Sequence, residues 1–324
     1  MRFLSSLLLF LPSLAVVDAA GSVPEGFIDE IVTSAKGMSG CFAPNPRKNG
    51  KPMMILNSKN GRIRVLEDPD ESPEDIQILD MRTGVCDNGE RGAHSVEPHP
   101  NFLENRWLYI FYNEYKEDCL EDPVNGPQNV VMRFTMDAAT LELSLDDAVV
   151  VWRGAPMDKR LHNGGAMAFG NDGKLWITTG DAGERINAEI RDNVHGSILR
   201  INDDGSIPAD NPYSQQSGFS NSYRCTDSGG RVPDNAPAGS RCAEVWAHGV
   251  RNPFRISMDS NTKDKVRFSI SDVGAQHVEA LYYGGTDYKL ADYGWPKYEG
   301  GVCKPGEMQD CTGLSDSSTV TPFH

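Results

Sequence analysis

Leu161-His162-Asn163-Gly164-Gly165-Ala166-Met167-Ala168-Phe169-Gly170-Asn171-Asp172-Gly173-Lys174-Leu175-Trp176-Ile177-Thr178-Thr179-Gly180-Asp181 is the stretch that decides the fold. Apolar Met167, Phe169, Leu175 and Ile177 recur at spacing two, which is a β period. Asn171-Asp172-Gly173 between them is turn chemistry, because Asn and Gly tolerate positive φ. The pattern predicts a hairpin. A hairpin returns the chain to where it began, so His162 and Asp181, at its two open ends, can stand side by side. A carboxylate next to an imidazole fixes its tautomer and raises its basicity, which makes a general base. The plainer reading of the same spacing has His162 capping a strand and Asp181 starting a turn, since hairpins bring many polar pairs together.

Outward from the hairpin, strand and turn signals continue in both directions. Strands are expected at 52–57, 61–66, 107–113, 130–136 and 148–152 before it, and at 196–201, 244–248, 254–258 and 266–270 after it. The one helical candidate is a short segment at 28–35. Strands at this spacing point to a β-propeller or a sandwich. No exact repeat is present, but Asn-Gly-Arg-Ile-Arg-Val (60–65), Asp-Gly-Lys-Leu-Trp-Ile (172–177) and Gly-Ser-Ile-Leu-Arg-Ile (196–201) recur in type. They read as equivalent strands of successive blades. At roughly forty or more residues per four-stranded blade, the chain has room for about four or five blades with insertions. A propeller closes to protect its edges. The chain stops at Val320-Thr321-Pro322-Phe323-His324 without a terminating signal, so a C-terminally incomplete propeller is the expectation.

Composition sets limits. Length alone leaves one large all-β domain or two ordinary ones open. A hydrophobic fraction of 39% and a charged fraction of 24% suit a packed core and exclude disorder. A net charge of −15 would repel a polyanion, so nucleic acid is not an expected partner. At the N-terminus, Arg2 is followed by an apolar run over 4–17 and by Val17-Asp18-Ala19, small residues at cleavage spacing. Residues 1–19 read as a secretory signal peptide and 20–324 as the exported domain. No other stretch is long enough for a membrane helix.

Seven cysteines fit an oxidising compartment. Cys303 and Cys311 lie close together in a turn-rich loop, and Cys225 and Cys242 flank a Gly/Pro/Ser-rich insertion. Each pair is expected to form a disulfide. Cys41, Cys86 and Cys119 leave one thiol over. None of the spacings is a zinc pattern.

Three further stretches carry candidate chemistry. Glu90-Arg91-Gly92-Ala93-His94 runs on to His99-Pro100. Its two histidines lack a third ligand at metal spacing, and His99-Pro100 reads as a turn. In Gly249-Val250-Arg251-Asn252-Pro253, Arg251 either clamps an anionic ligand or forms a structural salt bridge. Asp272-Val273-Gly274-Ala275-Gln276-His277-Val278-Glu279, with Asp292-Tyr293-Gly294-Trp295, offers the carboxylates and carbonyls that calcium takes, and reads equally as ordinary polar turns.

In order, these motifs resemble the soluble quinoprotein glucose/sorbosone dehydrogenases, including the hedgehog-interacting-protein-like proteins, from about residue 26 to the end. The carriers are Glu90-Arg91-Gly92, His99-Pro100, His162-Asn163-Gly164-Gly165, Asp172-Gly173-Lys174-Leu175, Gly180-Asp181, the run from Asp204-Gly205-Ser206 to Asp210-Asn211-Pro212, Gly249 to Pro253, Asp272-Val273-Gly274 and Tyr293-Gly294-Trp295. The resemblance implies a six-bladed β-propeller of four-stranded antiparallel blades holding pyrroloquinoline quinone (PQQ) and Ca2+. It implies His162 as the base for a sugar hydroxyl, Asp181 as its orienting partner, and Arg251 and Asn252 facing the quinone. Glu90 sits at a cofactor-facing position. Gly274 and Ala275 resemble the loop that holds the cofactor calcium, and Glu279 and Tyr293 a second calcium site.

The sequence departs from the family in places. Glu90 stands where the bacterial glucose enzymes have a neutral amide, Leu161 where they have an Asp, and Ala93-His94 where two leucines are usual. The family's aromatic stack, Lys and paired arginines would lie beyond His324. Two functions follow from the resemblance. One is a secreted PQQ- and calcium-dependent sugar dehydrogenase that passes electrons to an external acceptor. The other is a non-catalytic extracellular binding propeller.

Overall fold

The computed structural model describes residues 32–33, 37–69, 75–276, 278–300 and 302–303. Two compact units divide the chain, Met1–Ser34 and Ala35–His324. The expected signal peptide and the Cys303–Cys311 pairing lie outside the described residues, as does the helix expected at 28–35 except for residues 32–33, which are not helical. The second unit carries every described strand.

Its strands form four successive antiparallel sheets. The first is β1 (Ser39–Pro44), β2 (Pro52–Asn57), β3 (Arg62–Leu66) and β4 (Asp75–Asp80), in that order. The second is β5 (Ala93–Pro98), β6 (Trp107–Asn113), β7 (Gln128–Thr135) and β8 (Val149–Pro156). The third places β9 (Met167–Phe169), β10 (Leu175–Thr179) and β11 (Ser197–Ile201) side by side, with β14 (Val245–His248) outermost. The insertion between β11 and β14 holds a small parallel pair, β12 (Ser222–Tyr223) and β13 (Arg241–Cys242). The fourth sheet has three strands, β15 (Pro253–Met258), β16 (Arg267–Asp272) and β17 (Ala280–Gly285). A last pair, β18 (Tyr298–Glu299) and β19 (Val302–Cys303), follows.

The first strands of the four sheets, β1, β5, β9 and β15, contact one another in that order, so each sheet radiates from a common axis as a propeller blade. Apolar cores fill the gaps between blades. Leu108, Ile110 and Tyr112 of β6 face blade 1, while Tyr109 and Phe111 of the same strand face blade 3. Leu175 and Ile177 of β10 face blade 2, while Trp176 packs toward blade 4 with Trp246 and Phe268. Period-two alternation therefore survives, but both faces are apolar because both are covered. At one end of the axis, side chains stitch each blade to the next: Asn57 Nδ2 donates to Ala93 O at 2.8 Å, Asn129 Nδ2 to Asn163 O at 3.0 Å and Thr178 Oγ1 to Pro253 O at 2.6 Å. Buried amides and carbonyls need such partners, and here each is supplied from the neighbouring blade.

Several expectations are corrected. The described residues form four blades, not six, and the fourth has three strands rather than four. The three recurring six-residue elements are not all equivalent. Those at 60–65 and 196–201 enter third strands, whereas 172–177 enters a second strand beside one of them. The stretch around His94, where no strand was expected, is the inner strand β5, and it ends just before His99-Pro100, where a turn was expected. Its histidines serve different surroundings: His94 Nε2 meets Asn113 Oδ1 at 2.8 Å, and His99 packs on Trp107, Tyr109 and Phe169. Strands β1, β4 and β17 were not anticipated. Cys225–Cys242 is bonded as expected, Cys86 pairs with Cys119, and Cys41 is the free thiol among the described residues.

Candidate active site

Blade-to-blade connections and the turns between second and third strands converge on the stitched end of the axis. The β4–β5 connection carries Glu90, the β8–β9 connection His162, the β10–β11 turn Asp181, and the β14–β15 connection Arg251 and Asn252. The hairpin works as the sequence suggested. Leu175 pairs with Phe169 and Ile177 with Met167, so the strands' open ends return to one point. Two glycines let the backbones touch there. A Cβ on Gly180 would lie 2.0 Å from His162 O, and one on Gly164 would lie 2.7 Å from Gly180 N. No other residue fits such an approach.

His162 takes left-handed backbone geometry, φ 52°, which costs a non-glycine residue about 1–2 kcal/mol. Two hydrogen bonds hold it: its N–H donates to Glu90 Oε2 at 2.7 Å, and its carbonyl accepts from Ala182 N at 3.3 Å. Its Nδ1 lies 2.6 Å from Asp181 Oδ1. Asp181 is fully buried, and His162 keeps 13% side-chain exposure. Asp181 also accepts from Gly183 N at 2.8 Å and, through Oδ2, from the Trp295 indole at 2.8 Å. A buried carboxylate given three donors is held as an acceptor, so Nδ1 carries the proton and Nε2 is the basic nitrogen.

Arg251 and Asn252 are fixed from below by Asp272, at the end of β16. Its two carboxylate oxygens accept Arg251 N at 3.1 Å and Asn252 N at 2.6 Å. Burial pushes the Asp272 carboxyl up to about 7, opposed by those two amides and the Arg251 charge. Asn252 Oδ1 accepts Gly164 N at 3.0 Å, tying the fourth blade to the histidine bend. The Arg251 guanidinium donates to Val273 O at 3.0 Å and sits 5.4 Å from the Trp295 ring centre. Its Nε is buried without a partner among the described residues.

An axial cavity of about 330 Å³ opens between the four blades, lined by residues that include Lys59, Glu90, Asn163, Gly164, Asn252 and Val273. The Lys59 and Asn252 side chains that line this space suit a ligand rich in oxygen acceptors, as PQQ is. Beyond Val273, the N–H of Gly274 donates to Glu279 Oε2 at 3.1 Å, and those of Ala275 and Gln276 donate to Glu299 Oε1. Carbonyls and carboxylates are the donor set of a hard cation such as Ca2+. Tyr293 differs in kind. It is buried, and its hydroxyl donates to Tyr283 O at 2.9 Å, so any ligand from it has to be its main-chain carbonyl.

His162, Asp181, Arg251, Asn252 and Glu90 thus meet in one place, and Gly274, Ala275 and Glu279 follow in the adjoining loop. Sequence reasoning missed Asp272 and Trp295 as site residues, though both stand inside the motifs quoted for it. Among the described residues, the one grouping of three potential metal ligands is Cys225, Cys242 and Glu244, and its two sulfurs are already joined in a disulfide.

The model of the Glucose / Sorbosone dehydrogenase family matches residues 46–223. The aldose sugar dehydrogenase YliI of Escherichia coli (strain K12) is 24% identical over 225 residues, 68% of this chain and 51% of that protein. The human hedgehog-interacting protein (Homo sapiens) is 27% identical over 252 residues, 73% of this chain and 32% of that protein. The chain thus spans about half or less of the length of these relatives. Among solved structures, a glucose dehydrogenase superposes with TM-score 0.65 at 22% identity, over 88% of this chain and 70% of that one. The PQQ-bound aldose sugar dehydrogenase of Streptomyces coelicolor superposes with TM-score 0.59 at 20% identity, over 89% and 72%. These likenesses bear out the propeller fold. With a family match over more than half its length, taking in the hairpin and its histidine, the chain belongs to the glucose/sorbosone dehydrogenase family.

Proposed function

We propose that this protein is the catalytic propeller of a secreted PQQ- and Ca2+-dependent dehydrogenase that oxidises an aldose at its anomeric hydroxyl. The observation that carries the reading is the His162–Asp181 pair, 2.6 Å apart, with the carboxylate buried and the imidazole edge open. When bound, PQQ supplies the hydride-accepting centre and Ca2+ the positive charge beside it.

The chain's own residues do the rest. His162 Nε2 takes the hydroxyl proton, and Asp181 stabilises the imidazolium that results while keeping the ring aligned. Arg251 and Asn252, preset by Asp272, hold the cofactor where negative charge develops, which is worth most when the groups are already in place. The Gly274 and Ala275 carbonyls would hold the cofactor calcium, and Glu279 with the main-chain carbonyl of Tyr293 a second one. Electrons leave to an external acceptor. Export follows from the leader-like residues 1–19. Among the described residues no helix is long and apolar enough to cross a membrane.

The test is dye-linked aldose oxidation after reconstitution with PQQ and Ca2+, with cofactor affinity measured separately. His162→Ala is expected to cost a factor of roughly 10² to 10⁴ in turnover and to leave PQQ affinity nearly unchanged. Full activity in that variant would remove the base assignment. A second reading, an extracellular binding propeller, has its own support. Leu161 beside the base is 41% exposed, and the hedgehog-interacting protein is among the relatives. Failure of the unmutated protein to bind PQQ would select that reading.

A further inference from the structure

We propose that Trp295 is the positioning residue of this site: its indole N–H sets the orientation and basicity of Asp181, and its ring supports the Arg251 guanidinium. The inference rests on the reading of His162 as the base.

Trp295 touches both halves of the chemistry. Its Nε1 donates to Asp181 Oδ2 at 2.8 Å, on the oxygen not used by His162. Its ring centre is 5.4 Å from the guanidinium carbon of Arg251 and 5.8 Å from that of Arg185. The side chain is buried, at 4% exposure. An indole N–H only donates, so it can stabilise the charged carboxylate and cannot serve a protonated one in the same way.

The segment that delivers it is fixed. Tyr293 N donates to His248 O and Trp295 N to Gly249 O, both at 2.9 Å, and His248 N donates to Ala291 O at 3.0 Å. Asp292 Oδ1 accepts Gly294 N at 2.9 Å, and its other oxygen lies 3.5 Å from His248 Nε2. The Tyr293 phenol anchors the loop in the core behind. Trp295 therefore stands against Asp181 on a rigid support, which is what a positioning residue requires.

The direction of its effect follows. Without the indole donor, the Asp181 carboxylate keeps more of its charge and holds the imidazolium more tightly. The His162 ring then titrates at higher pH. The charged groups around the pair are Glu90 on the His162 amide, Arg251 and Arg185 on the Trp295 ring, and Asp272 and His195 within electrostatic reach of Asp181. All of these groups are on other side chains and are retained in a variant at position 295.

Trp295→Phe removes the N–H donor together with part of the ring system and keeps a smaller aromatic ring on the Arg251 side. In ring-labelled protein without cofactor, with His162 assigned by its loss in His162→Gln, the His162 titration midpoint is expected to rise by roughly half a unit to one unit. In reconstituted enzyme, the acid limb of kcat should rise with it. We expect kcat to fall roughly tenfold and KM to stay within about twofold. PQQ affinity should hold in Trp295→Phe and fall in Trp295→Leu, which lacks the ring. An unmoved ring titration overturns the proposal, as does a moved titration with an unmoved rate limb. Should Trp295→Phe fail to fold, Asp181→Asn in the presence of native Trp295 decides: the Trp295 indole N–H resonance must move upfield, and a fixed resonance overturns the proposal. The ring titration needs no turnover. Unmutated protein that oxidises no sugar would therefore end the dehydrogenase reading, while the titration still decides the role of Trp295.

Discussion

At the scale of single residues, the site depends on glycines as much as on its polar groups. Gly180 is the sharpest case. A Cβ there would meet His162 O at 2.0 Å and Arg251 O at 3.0 Å, both backbone atoms with nowhere to go. Gly180→Ala should therefore displace the base and the guanidinium together. The expected outcome is a loss of more than about tenfold in kcat and a stability loss of roughly 2–3 kcal/mol, in the range of overpacked positions. Gly173, in the turn of the same hairpin, is the control. It has φ 70° but no atom within 4 Å of an added Cβ, so Gly173→Ala should cost about 1 kcal/mol and leave turnover alone. Urea titration and dye-linked assays of both variants check this. Equal effects would mean that the hairpin, and not the close approach, is what matters. The His162–Asp181 pairing was legible because turn chemistry fixes where hairpin ends meet. Trp295 was not, because it reaches Asp181 from 114 positions away and nothing local announces the contact.

At the scale of elements, motifs quoted as family marks prove to be structural. Asp172 of the hairpin turn, and Asp210 and Asn211 of the β11–β12 loop, meet on one side chain, Arg200 of β11. Its guanidinium bonds Asp172 Oδ2 at 3.0 Å, Asp210 Oδ1 at 2.8 Å and Asn211 Oδ1 at 3.0 Å, and it lies near the Trp176 and Trp246 rings. Arg200 is almost completely buried, so Arg200→Met should leave Asp172 and Asn211 without their partner. A cost of about 3 kcal/mol is expected, because breaking a buried pair leaves uncompensated charge. The loss should appear as a lower urea midpoint, with KM unchanged in the fraction that stays folded. A midpoint matching the unmutated protein would refute it. Strands β2, β6 and β10 were legible in the sequence because covered strands read as apolar runs. β5 was not, since its own sequence, Ala-His-Ser-Val-Glu-Pro, places His and Glu on an axial strand where Asn113 and the Phe169 amide accommodate them. A period count cannot see those partners. Blade number was legible too: at roughly forty or more residues per blade the chain had room for about four or five, and the described residues form four. The count of six came from the family resemblance and not from strand spacing.

At the scale of the whole molecule, β5 makes stability respond to pH in two opposite senses. His94 is pushed down to about 4, chiefly by burial, and Glu97 up to about 7, also chiefly by burial. Between the ordinary ranges of the two groups, about pH 4.5 to 6.5, the unfolded chain holds a proton on His94 and none on Glu97. The folded protein holds one on Glu97 and none on His94. From these two groups the proton count is therefore the same on both sides, and their contribution to stability is flat. Each substitution should break the balance in its own direction. Glu97→Gln removes the proton of the folded state, so the stability of the variant relative to the unmutated protein should rise with pH at up to about 1.4 kcal/mol per unit. The sign follows because a raised folded pKa contributes stability that is present below the unfolded value and lost as pH rises toward 7. Glu97→Gln no longer suffers that loss. His94→Gln removes the proton of the unfolded state. It should gain relative stability as pH falls from 6.5 toward 4, because the unmutated protein loses there what the depressed histidine contributes. Urea unfolding of the three proteins at pH 4.5, 5.5 and 6.5 provides the test. Opposite slopes would place both groups inside the cooperative core around the axis. Parallel curves would mean that the inner end of β5 is hydrated in the folded state, and that the two side chains titrate there as they do in water.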